Sequence, residues 1–268
     1  MDNNLPKKIW FLWLQGFDDM PLMVRKCYES WIRHNADWEL IFLDENNLAD
    51  YVNTKRYNED ITSFSDLVRI DLLVKYGGVW VDATCFCMKP LSDWLFGHMA
   101  TGFFAFDRPA PGRMLSSWFL AAEKYNYIST TLQVKMNEYW KENPDMCLIK
   151  RSSWRFLDKL LSKLDNQVWF SGFITKTLKV YPYFWFHYLF EHIYLHDDTF
   201  KALWDETPTI SADIPHAVLW SHFHDPLGPE IKAHIDNKVA PLYKLIRKYD
   251  IQHAHRPGTT LEYLLNSQ

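Results

Sequence analysis

Asp66 and Arg69 stand three residues apart, and Asp82 follows them behind the run Tyr76-Gly77-Gly78-Val79-Trp80-Val81. On a helix, positions i and i+3 are neighbours on one face, so this carboxylate and guanidinium are expected side by side. Arginine presents a planar fork that takes a carboxylate or a phosphate through two parallel hydrogen bonds. Carboxylates accept hydrogen bonds from sugar or ribose hydroxyls, or hold a divalent cation that neutralises a diphosphate. Spacing alone leaves a second reading open: Asp66 and Arg69 as an ordinary helix ion pair, Asp82 as a turn residue.

His187, Glu191, His192 and His196 have the residue types of a zinc hydrolase but not its spacing. His187 and His192 fall about 140° apart around a helix of 3.6 residues per turn. His192 and His196 share a face, yet H-I-Y-L-H lacks the glutamate that follows the first histidine in H-E-x-x-H. His216, His222 and His224 lie in the donor-rich stretch Pro215 to Pro226. Cys85-Phe86-Cys87 puts both thiols on one face if the segment is extended. With Cys27 and Cys147 these cysteines make neither a disulfide framework nor a zinc site, so reduced thiols in a cytoplasmic protein are expected.

The elements that must position Asp66, Arg69 and Asp82 are legible around them. Lys8 to Leu14 reads as a buried strand, Pro21 as the start of a helix, and Trp38 to Leu43 as a second strand. A strand–helix–strand opening argues for a parallel sheet. Ser63 with Asp66 fits a capping box, and Leu67, Ile70, Leu73 and Val74 recur at helical spacing. Gly77-Gly78 ends that helix, and Val79 to Val81 is a short buried strand that delivers Asp82 at its carboxyl end. In open α/β sheets ligands bind there. Downstream, Ser116 to Lys163 reads as mostly helical, Val168 to Thr175 as a strand, Tyr183 to His196 and Thr199 to Trp204 as helices, and Ile210 to Leu219 as extended or irregular. Leu242, Leu245 and Ile246 with Lys244, Arg247 and Lys248 form a short amphipathic pattern, either a solvated helix face or a contact with an anionic membrane surface.

The 268 residues are 48% hydrophobic and 23% charged, a globular balance. A net charge of −4 gives no support to broad nucleic-acid binding. The 13 tryptophans hint at stacking on flat polar rings such as bases and sugars, although indoles also fill cores. The apolar run Ile9 to Leu14 is too short for a signal segment, and Tyr181 to Phe190 is too short to span a bilayer.

Ser65-Asp66-Leu67-Val68-Arg69 and Tyr76 to Asp82 resemble the S-D-x-x-R…G-G-x-[YW]-x-D-x-D signature of sugar-transferring enzymes with the GT-A fold. That group includes the DXD-containing mannosyltransferase-like enzymes and the catalytic domains of the large clostridial glucosylating toxins. Gly77 to Thr84 is more similar still to the G-G-[IV]-W-x-D-A-T of the capsular polysaccharide synthesis protein family. Lys8 to Gly16, Phe42 to Leu48 and Ile210 to His216 also look like that family, so the resemblance covers most of the chain.

The resemblance implies an α/β fold with a GT-A-like, Rossmann-type mixed sheet flanked by helices and a helical elaboration. It implies one domain over 1–268, with a nucleotide-sugar part at about 1–100 and a helical, acceptor-side part at about 101–268. The activity it implies is transfer of a sugar from a nucleotide-sugar, a UDP-sugar first, to a bacterial capsular or surface glycan or a lipid-linked glycan, with retention. Asp66, Arg69 and Asp82 would be the catalytic set. Trp13 would stack on the donor base, and Gln15, Gly78, Ala83 and Thr84 would join the donor site. Asp82 would be the first acid of the D-x-D pair and would sit near a divalent cation, Mn²⁺ or Mg²⁺. Thr84 stands where the second acid belongs, and a hydroxyl is a weaker ligand for a hard cation. Three arrangements remain: Asp82 holds the metal with water, another residue such as His222 replaces the lost ligand, or no metal is used. Two other functions stay open, a non-catalytic carbohydrate-binding or scaffold protein and a sugar-phosphate transferase. The expected location is the cytoplasm, with peripheral contact at the inner face of the membrane.

Overall fold

The computed structural model describes residues 4–54, 61–149, 165–220, 224–246 and 256–267, without the side chains of 61 and 62. Lys8–Leu12 (β1), Leu22–His34 (α1) and Glu39–Leu43 (β2) open the chain as strand, helix and strand. β1 and β2 pair in parallel, with Trp10 opposite Ile41. A short helix at Leu48–Tyr51 (α2) precedes Ile61–Tyr76 (α3), which leads into Gly78–Val81 (β3). β3 lies parallel to β1 on its other side, with Trp80 opposite Trp10.

After Lys8 at the start of β1, both strands are apolar because both faces of the sheet are covered. Ile9, Phe11, Val79 and Val81 pack on one side with Trp31 of α1. Trp10 and Trp80 face the other side, with Val68, Ile70 and Leu73 of α3. The Trp10 indole is fully buried and donates to the Gly77 carbonyl at 2.9 Å, so its one polar group is satisfied. Truncating such a side chain to alanine costs about 3–5 kcal/mol.

Cys85–Cys87 (β4) is followed by Phe103–Ala110 (β5) and Arg113–Ala122 (β6). The central sheet has the order β2-β1-β3-β6-β5, with β6 antiparallel to both β3 and β5. It is the mixed α/β sheet expected. Tyr127–Glu142 (α4) starts on the Asn126 side chain, which accepts from the Ile128 amide. Cys147–Leu148 (β7) pairs in parallel with Val180–Tyr181 (β8). Trp185–His196 (α5), Asp198–Glu206 (α6), Asp213–Trp220 (α7) and Pro229–Asp236 (α8) follow. Leu242–Lys244 (β9) returns to pair antiparallel with β4, and Thr260–Asn266 (α9) is the last described element.

Five local expectations are corrected. Ser63 does not cap α3: the helix begins at Ile61, and Ser63 is buried within it. The mostly helical stretch expected over Ser116 to Lys163 begins as strand β6, because Pro111-Gly112 turns the chain back on β5; its middle is helix α4, and 150–163 lies outside the described residues. Gly112 has φ +73°, and Pro followed by Gly at the two central positions is the composition of a type II turn. The strand expected at Val168 to Thr175 is instead a 3₁₀ turn, Asn166–Phe170, started by the Asp165 side chain, and a π-helical turn, Phe173–Leu178. A short apolar run does not reveal its own period, and here the turn chemistry decided it. In Ile210 to Leu219 only the first part is extended, crossing Asp107, and helix α7 starts at Asp213. Pro215 falls in the first turn, where its missing N–H costs nothing. The amphipathic pattern around Lys244 is no helix either: Leu242–Lys244 is strand, while Arg247 and Lys248 lie outside the described residues.

Cys85 and Cys87 do share a face, packing with Trp31 and Leu242, while Phe86 packs on the other side. Burial pushes both thiols up to about 12, so they are inert. No helix among the described residues is long and apolar enough to cross a membrane.

Candidate active site at the carboxyl end of the sheet

A cleft of about 780 Å³ opens where β1 and β3 end. Four residues that follow or close β1 line it, Leu12 to Gln15. Ser65, Asp66 and Arg69 enter from α3, and Asp82, Ala83 and Thr84 from the end of β3. Arg113, His187, His216 and Lys244 close it from β6, α5, α7 and β9.

Arg69 is the hub. It is 4% exposed and pairs with Asp66 through Nη1 and Oδ1. Its Nη2 donates to Ser65 Oγ at 3.2 Å and to Asp82 Oδ1 at 3.3 Å. The guanidinium lies 5.3 Å from the centre of the Trp80 ring and 5.9 Å from that of Phe186. Aromatic faces of this kind hold a planar cation in one orientation. Trp80 Nε1 donates to the same Asp82 oxygen at 3.0 Å.

The other Asp82 oxygen faces Lys244, whose Nζ is 3.3 Å from Oδ2 and also donates to Thr84 Oγ1. Burial acts to raise the Asp82 carboxyl, but the Lys244 and Arg69 charges and the Trp80 hydrogen bond outweigh it and hold the group below the usual carboxylate range. β9 fixes this arrangement through its backbone: Lys244 stands opposite Cys85, and the Leu245 amide donates to the Thr84 carbonyl at 2.8 Å.

Among the described residues the charged side chains of the cleft are Arg69, Arg113 and Lys244 against Asp66 and Asp82, one positive charge in excess. The Arg113 guanidinium lies 4.2 Å from the Phe184 ring centre and pairs with no carboxylate among the described residues. His187 and His216 add no charge. Burial, then the nearby arginines, pushes His187 down to about 3; burial, then Lys244 and Arg113, pushes His216 down to about 4. Each has an Nδ1 without a hydrogen-bond partner among the described residues.

The structure thus brings together Trp13, Gln15, Asp66, Arg69, Asp82, Ala83 and Thr84. Trp13 is 8% exposed and packs in the core as well as lining the cleft. Gly78 is not part of the site. It begins β3 at the opposite end of the strand, with φ +98°, and a Cβ there would stand 2.6 Å from the Lys8 carbonyl oxygen. It is glycine for close strand approach. His222 lies outside the described residues. Lys244 and Arg113 were missed: a lone lysine in L-Y-K carries no catalytic signal, and Arg113 lies just before the stretch expected to be helical, in a segment with no assignment. The cleft also draws on both sides of the division expected near residue 100.

The described residues do not fit a divalent cation. No three of His, Cys, Asp and Glu among them come together as a metal site. Hard cations want several oxygen ligands. Here the place between Asp82 and Thr84 is taken by the Lys244 ammonium.

The sequence profile described as Capsular polysaccharide synthesis protein matches residues 1–149. An O-glycosyltransferase of Annulohypoxylon truncatum is 29% identical over 154 residues, 48% of this chain and 36% of that protein. An uncharacterized glycosyltransferase of Acanthamoeba polyphaga mimivirus is 25% identical over 100 residues, 34% of this chain and 40% of that protein. The chain therefore spans well under half the length of these two relatives. Among solved structures, the glycosyltransferase GlyE of Streptococcus pneumoniae overlaps 90% of this chain and 65% of its own, at 14% identity and a TM-score of 0.38. The PaToxG glycosyltransferase overlaps 61% and 72%, at 12% identity and a TM-score of 0.39.

Proposed function

The chain belongs to the capsular polysaccharide synthesis protein family, and from that premise we propose that it is a glycosyltransferase using a nucleoside-diphosphate sugar, a UDP-sugar first. One observation carries the reading: Asp66, Arg69 and Asp82 meet in a single hydrogen-bonded cluster in a cleft at the carboxyl ends of parallel strands. The excess positive charge among the described cleft residues suits a diphosphate.

In this reading the glycosidic carbon breaks its bond to the diphosphate oxygen and bonds the acceptor hydroxyl oxygen. Fixed cations stabilise the negative charge that develops on the departing diphosphate. Both cleft carboxylates are tied to cations, and both imidazoles are held as weak bases. In this reading the acceptor proton passes to the departing phosphate, since Asp66 and Asp82 are both paired with cations. Attack on that same face supports retention of configuration. The acceptor we propose is a growing surface glycan, free or lipid-linked.

Nucleotide release from UDP-, GDP- and CMP-sugars tests the reading. Release of nucleoside diphosphate from one donor, with a sugar added to the acceptor, is the expected result. Release of monophosphate makes the protein a sugar-phosphate transferase, and tight donor binding without any release makes it a binding protein.

A further inference from the structure

We propose that the Lys244 ammonium stands in for a divalent cation, bridging Asp82 and Thr84 from inside the protein and presenting its remaining N–H to the leaving diphosphate. The bridge from Lys244 to Asp82 and Thr84 is seen in the structure; its role in place of a cation and toward the diphosphate rests on the glycosyltransferase reading.

The geometry has three parts. An ammonium carries three donors. One is directed at Asp82 Oδ2 and one at Thr84 Oγ1. Lys244 still lines the cleft, with its side chain 17% exposed, and the proposal assigns its third donor to a ligand there. The position is built in rather than incidental. Lys244 sits in register with Cys85 on the β4–β9 ladder, and the next residue is tied by its backbone to Thr84. The lysine cannot leave without breaking that ladder or straightening away from two oxygens.

The threonine then has a reason. A second carboxylate at position 84 would suit a metal, because two acids and a diphosphate need a charge of at least two to balance them. One hydroxyl and one carboxylate are matched by one ammonium. Lys244 and Thr84 are complementary choices, a fixed cation with a neutral partner. An ammonium is also a compact point charge, which suits a phosphate oxygen without demanding the fork geometry of Arg69.

Two measurements on the full chain test this. The first is uptake of Mn²⁺ alone, read from the loss of its free electron-paramagnetic-resonance signal. The wild-type protein is expected to take up none at micromolar metal. The double variant Thr84→Asp with Lys244→Met is expected to take up one ion per chain. A wild-type site that binds Mn²⁺ and loses it in Asp82→Asn overturns the proposal, and so does a double variant as metal-free as the wild type. The second measurement is turnover of whichever donor is used, in EDTA and with added Mn²⁺. Activity is expected to survive EDTA, and Lys244→Met to lower kcat about 100-fold with an unchanged circular dichroism spectrum. Lys244→Arg should recover part of that loss, because charge and not packing is what Lys244 supplies. Activity abolished by EDTA and restored by Mn²⁺ overturns the proposal. If no nucleotide-sugar is bound or turned over by the wild type, it is the glycosyltransferase reading that fails, and the Mn²⁺ titration decides the metal question by itself.

Discussion

Lys244 and Asp82 are 162 residues apart in the chain, and their Nζ and Oδ2 atoms are 3.3 Å apart in the fold. Strand β9 closes the site that α3 and β3 open, so the carboxylate is gripped from both sides. Arg69 and Trp80 hold one oxygen and Lys244 the other.

Asp82→Asn is therefore expected to do more than remove one charge. The amide nitrogen would face either the guanidinium or the ammonium, donor against donor, and the two cations would lose the anion between them. Turnover should fall at least about 100-fold, while the secondary structure measured by circular dichroism stays the same. Near-normal turnover would remove Asp82 from the site.

What the sequence disclosed and what it hid divide along a physical line. The Gly77-Gly78 stop, the W-V-D strand end and the Asp66–Arg69 spacing are local patterns, and the structure assembles them as read. Period and position sufficed because each is fixed within one helix or one strand. Lys244 was hidden because its role comes from a ladder between β4 and β9, and a three-residue strand has no period to read. Arg113 was hidden by a missed Pro-Gly turn, which converts an apparent helix into the strand that carries it. Trp13 lay between these cases: its type was informative, but one indole can both pack and line a cleft.

The buried imidazoles make stability depend on pH. His187 packs near Arg113, Arg69 and Asp82, and its pKa in the fold is about 3. His216 packs near Lys244, Arg113 and Asp213, with a value of about 4. An unfolded histidine titrates near 6.5. Both groups are thus neutral in the fold, and protons bind the unfolded chain first as pH falls below about 6.5. Their contribution is complete above that pH and is lost progressively below it. One such group weakens folding by about 2 kcal/mol between pH 6.5 and pH 5. The melting temperature should fall over this range, and His187→Gln should flatten the fall. An equal slope in that variant would show that His187 is not the neutral buried group described.

Trp13 is expected to serve both core and donor. Alanine would cost about 3–5 kcal/mol of stability and obscure any effect on binding. Trp13→Phe keeps an aromatic ring and most of the packing. A loss of about 1 kcal/mol of stacking would raise the donor Kd about fivefold. Calorimetric titration with the nucleoside diphosphate reads it directly. A lower melting temperature with an unchanged Kd would leave Trp13 as core alone.

Gly78 gives the opposite pattern. Its φ of +98° is strained for any residue with a Cβ, and that Cβ would press on the Lys8 carbonyl at 2.6 Å. Neither backbone can retreat easily, because the Val79 and Ile9 positions that follow are paired in the β1–β3 ladder. Gly78→Ala should cost at least about 2 kcal/mol, seen as an earlier urea midpoint with the same slope. The folded fraction should keep its donor KM, since the cleft lies at the other end of β3. A raised KM at unchanged stability would put the glycine back in the donor site and would contradict the strand geometry described here.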